Sequence, residues 1–242
     1  MKISHICLIF VTLRHQTAAL PGLDKREADF DSVRLLSRLD RPDIQPKGQE
    51  TSQTYFPQSP LRAQYDVRFT DHLLDDASHH LNLIALAQSY LISMNDLGIP
   101  TWLMHDTLLN WYRAGELGQE QSHVDVMVSP KSMEFLAEFC NMTVYSHRPQ
   151  HFKKKRNYLL EVSPFYQESR GDEVDARWID THTGLYIDVK TYRDHGTTEK
   201  SRGTNRLQET VFEGVAARVP RNHVEILIDE YGQEAVSPRQ NG

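Results

Sequence analysis

A chain of 242 residues is long enough for one good-sized domain with a substantial core plus a terminal extension. Its 39% apolar and 25% charged residues mark a soluble globular class. A formal net charge of −6 argues against a dedicated nucleic-acid binder, so no nucleic-acid partner is expected.

The N-terminus carries a pattern of its own. Lys2 precedes an apolar run from Ile3 to Leu13, followed by Arg14 and the small residues Thr17, Ala18 and Ala19. This predicts a secretory signal peptide over 1–19, and with it the Golgi lumen or the exterior as the destination. The run falls short of the ~20 residues of a membrane-spanning helix. A signal anchor is therefore the second reading, and no membrane span is expected after cleavage. Removal of the signal would take Cys7 with it and leave Cys140 alone, which excludes an intrachain disulfide.

Residues 20–72 are rich in Arg, Asp, Gln, Pro and Ser and read as an irregular arm, with a short helix over Phe30 to Leu39. From there Leu83, Ile84, Ala87, Leu91 and Met94 repeat at helical spacing, and Gly98 and Pro100 supply the stop. Thr101 to Met104 is a short apolar entry. Thr107 to Tyr112 opens a buried helix that ends near Gly115. Val124 to Val128 is a strand, and Ser129-Pro130 caps a helix running through Phe135, Leu136 and Phe139. Cys140, at the end of that helix, reads as an inert core cysteine. Asn141-Met142-Thr143 is an N-glycosylation sequon, which makes Asn141 a candidate modification site. Lys153-Lys154-Lys155-Arg156 reads as a solvated loop; the alternative is that it steers an anionic substrate. Further strands are expected at 143–146, 158–162, 174–179, 185–189 and 210–212, and a last helix at 224–231. Without a strict βαβ rhythm, the expectation is one mixed sheet with helices packed on it.

Two strands carry an acid among apolar neighbours: His123-Val124-Asp125-Val126-Met127-Val128 and Leu185-Tyr186-Ile187-Asp188-Val189. A carboxylate in such a place costs several kcal/mol in desolvation unless something compensates it, and a divalent cation is one common answer. Asp125 and Asp188 are therefore candidate metal ligands. Where a further carboxylate would complete the site, two residues before Asp125, stands His123.

Thr101-Trp102-Leu103-Met104-His105-Asp106-Thr107-Leu108-Leu109-Asn110-Trp111-Tyr112 resembles the opening motif of the LicD family. That family includes bacterial phosphocholine transferases, animal fukutin and fukutin-related ribitol-phosphate transferases, and fungal proteins of mannosylphosphate transfer. The fungal branch fits best. Tyr65 to Phe69 resembles its lead-in. Asn157 to Pro164, Asp175 to Asp180 and Thr183 to Val189 follow in the family's order, and Phe212 to Val215 and Glu230 to Gly232 resemble its close.

The resemblance implies an α/β (α+β) nucleotidyltransferase-like mixed sheet, in a single domain over 73–235 with a tail at 236–242. It implies metal-dependent transfer, with Mg²⁺ or Mn²⁺, of a phospho-sugar or phospho-alcohol group. The donor would be a nucleotide-activated sugar or alcohol and the acceptor a glycan. On this chain Asp125 and Asp188 match the metal positions, with His123 as substitute ligand. Asp106 and Thr107 fall at the phosphate turn, and Arg177 is a candidate for the donor phosphate.

Three positions depart from the family's pattern. The metal strand usually reads Pro-Trp-Asp-x-Asp-hydrophobic-Asp; here Gln121 and His123 replace the first two acids, and Asp106 replaces the glycine after the motif's histidine. Imidazole is a poor ligand for hard Mg²⁺. Asp106 puts bulk and charge where glycine allows close backbone approach to phosphate. Two readings stay open. The site is degraded and the protein is a non-catalytic regulatory or glycan-binding relative, or Asp106 or Glu120 restores the missing carboxylate and His123 serves as ligand or base. A secreted interaction protein on the same scaffold is a third class. Asp175, Arg177 and Asp180 would form either a phosphate clamp or an ion-pair network, and Asp188 would otherwise pair with Lys190 or Arg193. His105 reads as a core histidine bonded to backbone; Trp102, Trp111 and Trp178 read as core, with the edge of a sugar-binding face as the alternative for Trp111.

Overall fold

The computed structural model describes residues 24–27 (backbone only), 55–56, 64–70, 72–169, 173–193 and 206–237. The expected signal segment, the helix expected over Phe30 to Leu39 and the end of the tail lie outside the described residues.

Helix α1 spans Asp76–Asp96, longer than the apolar repeat that announced it. Its N-cap is Asp75, whose Oδ1 accepts from the Ser78 amide at 2.9 Å, a bond that satisfies one orphan donor of the first turn. Strand β2 (Thr101–Leu103) runs straight into α2 (His105–Ala114), and β3 (Asp125–Val128) into α3 (Pro130–Phe139). Ser129 caps α3 through its hydroxyl, as the Ser-Pro pair predicts. Strands β4 (Thr143–His147), β5 (Arg156–Val162), β6 (Ala176–Asp180) and β7 (Tyr186–Thr191) follow. A hairpin of β8 (Leu207–Phe212) and β9 (Val215–Pro220) leads to α4 (His223–Tyr231) and a final 3₁₀ turn at Gln233–Val236.

The sheet order is β1-β4-β5-β6-β7-β3-β2, with β1 at Asp24–Glu27. All neighbours are antiparallel except β3 and β7, which run parallel. This is the mixed α/β architecture expected from the sequence. Two elements were not expected. β1 is made of four charged residues with no apolar alternation; an edge strand needs none, because its partnership is made by backbone alone. β9 was hidden behind a turn of Glu213 and Gly214, both at positive φ, which closes a two-residue hairpin.

One face of the sheet buries Trp178 completely. Its ring stacks on Tyr158 at 5.9 Å and meets Tyr90 of α1 edge-on at 6.0 Å, while its Nε1 donates to Ser89 of α1 at 3.0 Å. Helix α1 therefore lies across this face, and Met133 and Leu136 of α3 join the same core. The hairpin is fastened to α1 by Gln88, whose amide donates to the Glu213 carbonyl at 2.9 Å, and to α2 by Trp111, whose Nε1 donates to Thr210 at 3.0 Å. The opposite face holds a smaller cluster of Phe69, Val144, Leu159, Ile179 and Tyr186. Among the described residues no helix is long and apolar enough to cross a membrane.

The segment 64–70 is held down by a close approach. Tyr65 bridges to Leu185, and a Cβ on Gly184 (φ +77°) would lie 2.7 Å from Thr70 Cγ2 and 2.8 Å from the Asp66 carbonyl. Gly184→Ala is therefore expected to lower stability by about 2 kcal/mol or more, read from the urea midpoint. Gly214→Ala, at φ +72° in open space, is expected to cost about 1 kcal/mol. Equal losses would refute the role of the close approach.

Candidate functional site

Strand pairing assembles a row of charge on the second face. Asp125 of β3 stands opposite Asp188 of β7, Asp188 opposite Arg177 of β6, and Arg177 opposite Glu161 of β5. Residues in register on neighbouring strands share a face, so four ionisable side chains cross the sheet in line. Arg177 Nε donates to Asp188 Oδ1 at 2.8 Å. The Arg177 guanidinium is 3.8 Å from the ring centroid of Tyr186 and 4.9 Å from that of Phe56. The row continues beyond the sheet: Glu161 accepts from Arg68 Nη2 at 2.5 Å and from the Tyr55 hydroxyl at 3.1 Å, and Arg68 binds Asp66 at 2.7 Å.

His123 closes the other end. Its Nε2 lies 3.2 Å from Asp125 Oδ2, and its Nδ1 is 3.2 Å from the Ser122 hydroxyl. The contact with Asp125 raises the His123 pKa above its ordinary 6.5; burial opposes this, and the charges of Asp125, Asp106 and Asp188 add to the rise. Burial also pushes the Asp188 carboxyl above the usual carboxylate range, and Arg177 pulls it part of the way back. Each acid of the pair thus faces a basic side chain, Arg177 against Asp188 and His123, a cation only when protonated, against Asp125. Neither Lys190 nor Arg193 takes Asp188: Arg193 Nη2 goes to Asp175 at 2.8 Å. Asp180 pairs with Arg156 at 2.8 Å. Asp175, Arg177 and Asp180 are therefore three separate ion pairs.

The turn after β2 is equally occupied. Thr107 is fully buried, and its hydroxyl oxygen accepts from Gln121 Nε2 and from the Asp125 backbone amide, both at 2.8 Å. Gln121 also donates to the His123 carbonyl at 2.7 Å and accepts from Asn110 at 2.8 Å. An acid at 121 would have no proton for either acceptor, so the amide that replaces the family's first carboxylate is built into this turn. Asp106 Oδ1 accepts from the Tyr231 hydroxyl at 2.8 Å, and Glu120 is exposed.

His105 differs from its expected setting. It sits at φ 50°, and its Nδ1 lies 2.5 Å from Glu230 Oε1 of α4. Glu230 raises the His105 pKa through that bond, with burial opposing and Asp125 adding. Glu230 and Tyr231 reach the site from a helix more than a hundred residues away, which no local spacing announces.

Asn141 is exposed, but its Oδ1 accepts from the Val162 amide at 2.9 Å, and Thr143 of the sequon is buried at the start of β4. In the basic run Lys153, Lys154 and Lys155 are exposed, while Arg156 begins β5. Cys140 is buried, as expected.

Among the described residues no group of three or more His, Cys, Asp or Glu side chains is placed to hold a metal ion. Asp125, Asp188 and His123 do not fit a resident divalent cation as they stand. Arg177 holds Asp188 Oδ1, and His123 Nε2 lies 3.2 Å from Asp125 Oδ2, a buried oxygen that accepts no hydrogen bond, so an ion between the acids would have to displace the Arg177 contact and compete with the imidazole.

Gln121→Glu keeps the shape and removes both donated hydrogen bonds; it is expected to cost about 1–3 kcal/mol, read from the urea midpoint. A neutral result would contradict the role given to the amide. Both histidines have raised pKa values, so the stability they contribute is complete below pH 6.5 and is lost as pH rises through the raised values. The unfolding midpoint is therefore expected to fall above pH 6.5, and the fall should be smaller in His105→Gln/His123→Gln.

Residues 98–222, just over half of the chain, match the LicD/FKTN/FKRP nucleotidyltransferase domain. The chain is also similar to mannosyltransferase regulator 4 of the yeast Saccharomyces cerevisiae, 27% identical over 131 residues. That match covers 51% of this chain and 11% of the yeast protein, so the chain spans about a tenth of its relative. The domain match takes in the turn of Asp106 and Thr107, the strand of Asp125 and the strand of Asp188, and on it the chain belongs to the LicD family.

Proposed function

We propose that this chain is a non-catalytic member of the LicD family that serves glycan modification, regulating or presenting a substrate rather than transferring a phospho-group itself. One observation carries the reading. The retained acids Asp125 and Asp188 each face a basic side chain of the chain, His123 at 3.2 Å and Arg177 at 2.8 Å, and Gln121 is hydrogen-bonded into the turn beside them.

Metal-assisted phosphoryl transfer depends on carboxylates free to hold an ion against the phosphates. Here those oxygens face basic side chains, which lack the open coordination positions and the concentrated charge that a divalent ion offers to phosphate. The yeast relative's description as a regulator points the same way. The compartment proposed is the secretory pathway, on the N-terminal pattern of Lys2, Ile3 to Leu13 and Ala19.

The test is an assay of the full chain with Mn²⁺ or Mg²⁺ against nucleotide-sugar and CDP-alcohol donors. No release of nucleotide above the protein-free control is expected. Metal-dependent release that Asp125→Ala abolishes would overturn the reading.

A further inference from the structure

Helix α3 turns one face to the core and carries an aromatic pair on the other. Met133 and Leu136 are buried, whereas Lys131, Glu134, Phe135, Glu138 and Phe139 are exposed. Phe135 and Phe139 stand one helical turn apart, 40% and 56% exposed, with ring centroids 5.0 Å from each other. No other ring pair among the described residues has both members exposed. Glu134 and Glu138, also one turn apart, run beside the rings.

Two ends of the chain converge on this helix. The described residues break off at Glu27 and resume at Tyr55. Glu27 pairs with Thr143 of β4, which lies just past the C-terminal end of α3, and Thr143 pairs in turn with Leu160 of β5. Tyr55 donates to Glu161, the residue after Leu160. Segment 28–54 therefore leaves and rejoins the sheet at the end where α3 meets it. Within it, the stretch from Phe30 to Leu39 equals α3 in length. At roughly 100° per residue, Phe30, Val33, Leu35, Leu36 and Leu39 fall on one side, and Arg34 and Arg38 share a narrow polar strip with Asp31. A helix this short is marginal in water until its apolar side is covered.

We propose that residues 30–39 dock as a helix on the outer face of α3 and cover Phe135 and Phe139. Leaving β1 beside Thr143, the segment runs back along α3 in the opposite direction. Phe30 then comes to Phe139, and the arginines, one turn apart, come to the glutamates at the same spacing, Arg34 to Glu138 and Arg38 to Glu134. Residues 40–54 reach ~50 Å when extended, ample for the return to Tyr55.

Hydrogen–deuterium exchange of the full chain, at a concentration where sedimentation shows a monomer, tests the docking. Amides of 34–39 are expected to exchange at least about tenfold more slowly than in an unstructured peptide. Phe135→Ser/Phe139→Ser is expected to remove that protection while β5 to β7 keep theirs. Phe30→Ser/Leu36→Ser, which leaves the domain's own residues untouched, is expected to do the same and serves where the first variant fails to fold. Arg34→Cys/Glu138→Cys is expected to form a disulfide within one chain on mild oxidation. No protection of 34–39 in the unaltered chain, or protection that survives in a folded Phe135→Ser/Phe139→Ser variant, would overturn the proposal. A disulfide formed between two chains, or protection found only where the chain dimerises, would assign the face to a second copy and overturn it equally.

Discussion

Parallel pairing of β3 with β7 places Asp125 directly opposite Asp188, and much of the second face is arranged around that juxtaposition. Adjacent strands lie about 4.8 Å apart, so two carboxylates stand side by side in a partly desolvated setting. At an effective dielectric near 20 such a pair repels by a few kcal/mol. A cation must stand against each acid, or one acid must take a proton. The chain supplies basic side chains: His123, a cation when protonated, two residues before one acid, and Arg177 on the strand beside the other.

The same alternation extends outward and fixes the covering segments. Glu161 stands next to Arg177 and is answered by Arg68, which is shared with Asp66. Tyr55 and Phe56 come down on the same line, one bonded to Glu161 and the other stacked on Arg177. The segment 64–70 is thereby tied to the sheet by charge at one point and by the Gly184 turn at another. A metal-dependent enzyme would leave the inner end of this line open for its ion. In this chain a basic side chain stands beside each acid of the line from Asp125 to Asp66.

Much of this was legible in the residues. The alternation of Val124 to Val128 and Leu185 to Val189 places an acid on each of two strands, and the Ser129-Pro130 cap gives the start of α3. Order and spacing of the blocks from Thr101 to Val189 give the family, and the family match confirms them. What could not be read were partners made by tertiary contact. Nothing in the spacing of His105 points to Glu230, because the two meet only when α4 packs against α2. Lys190 and Arg193 were the natural local partners for Asp188, yet antiparallel register with β6 brings Arg177 opposite it, and Arg177 makes the hydrogen bond. Thr107 was expected to face phosphate; the buried turn directs its hydroxyl to Gln121 and Asp125 instead. β1 escaped notice because four charged residues carry no strand pattern.

The central claim is that His123 and Arg177, and not a metal ion, neutralise the acid pair. Anomalous scattering from crystals equilibrated with Mn²⁺ tests it most directly. The account predicts no manganese peak between Asp125 and Asp188, with the His123–Asp125 and Arg177–Asp188 contacts intact. A strong peak ligated by both carboxylates, with His123 and Arg177 turned away, would contradict it.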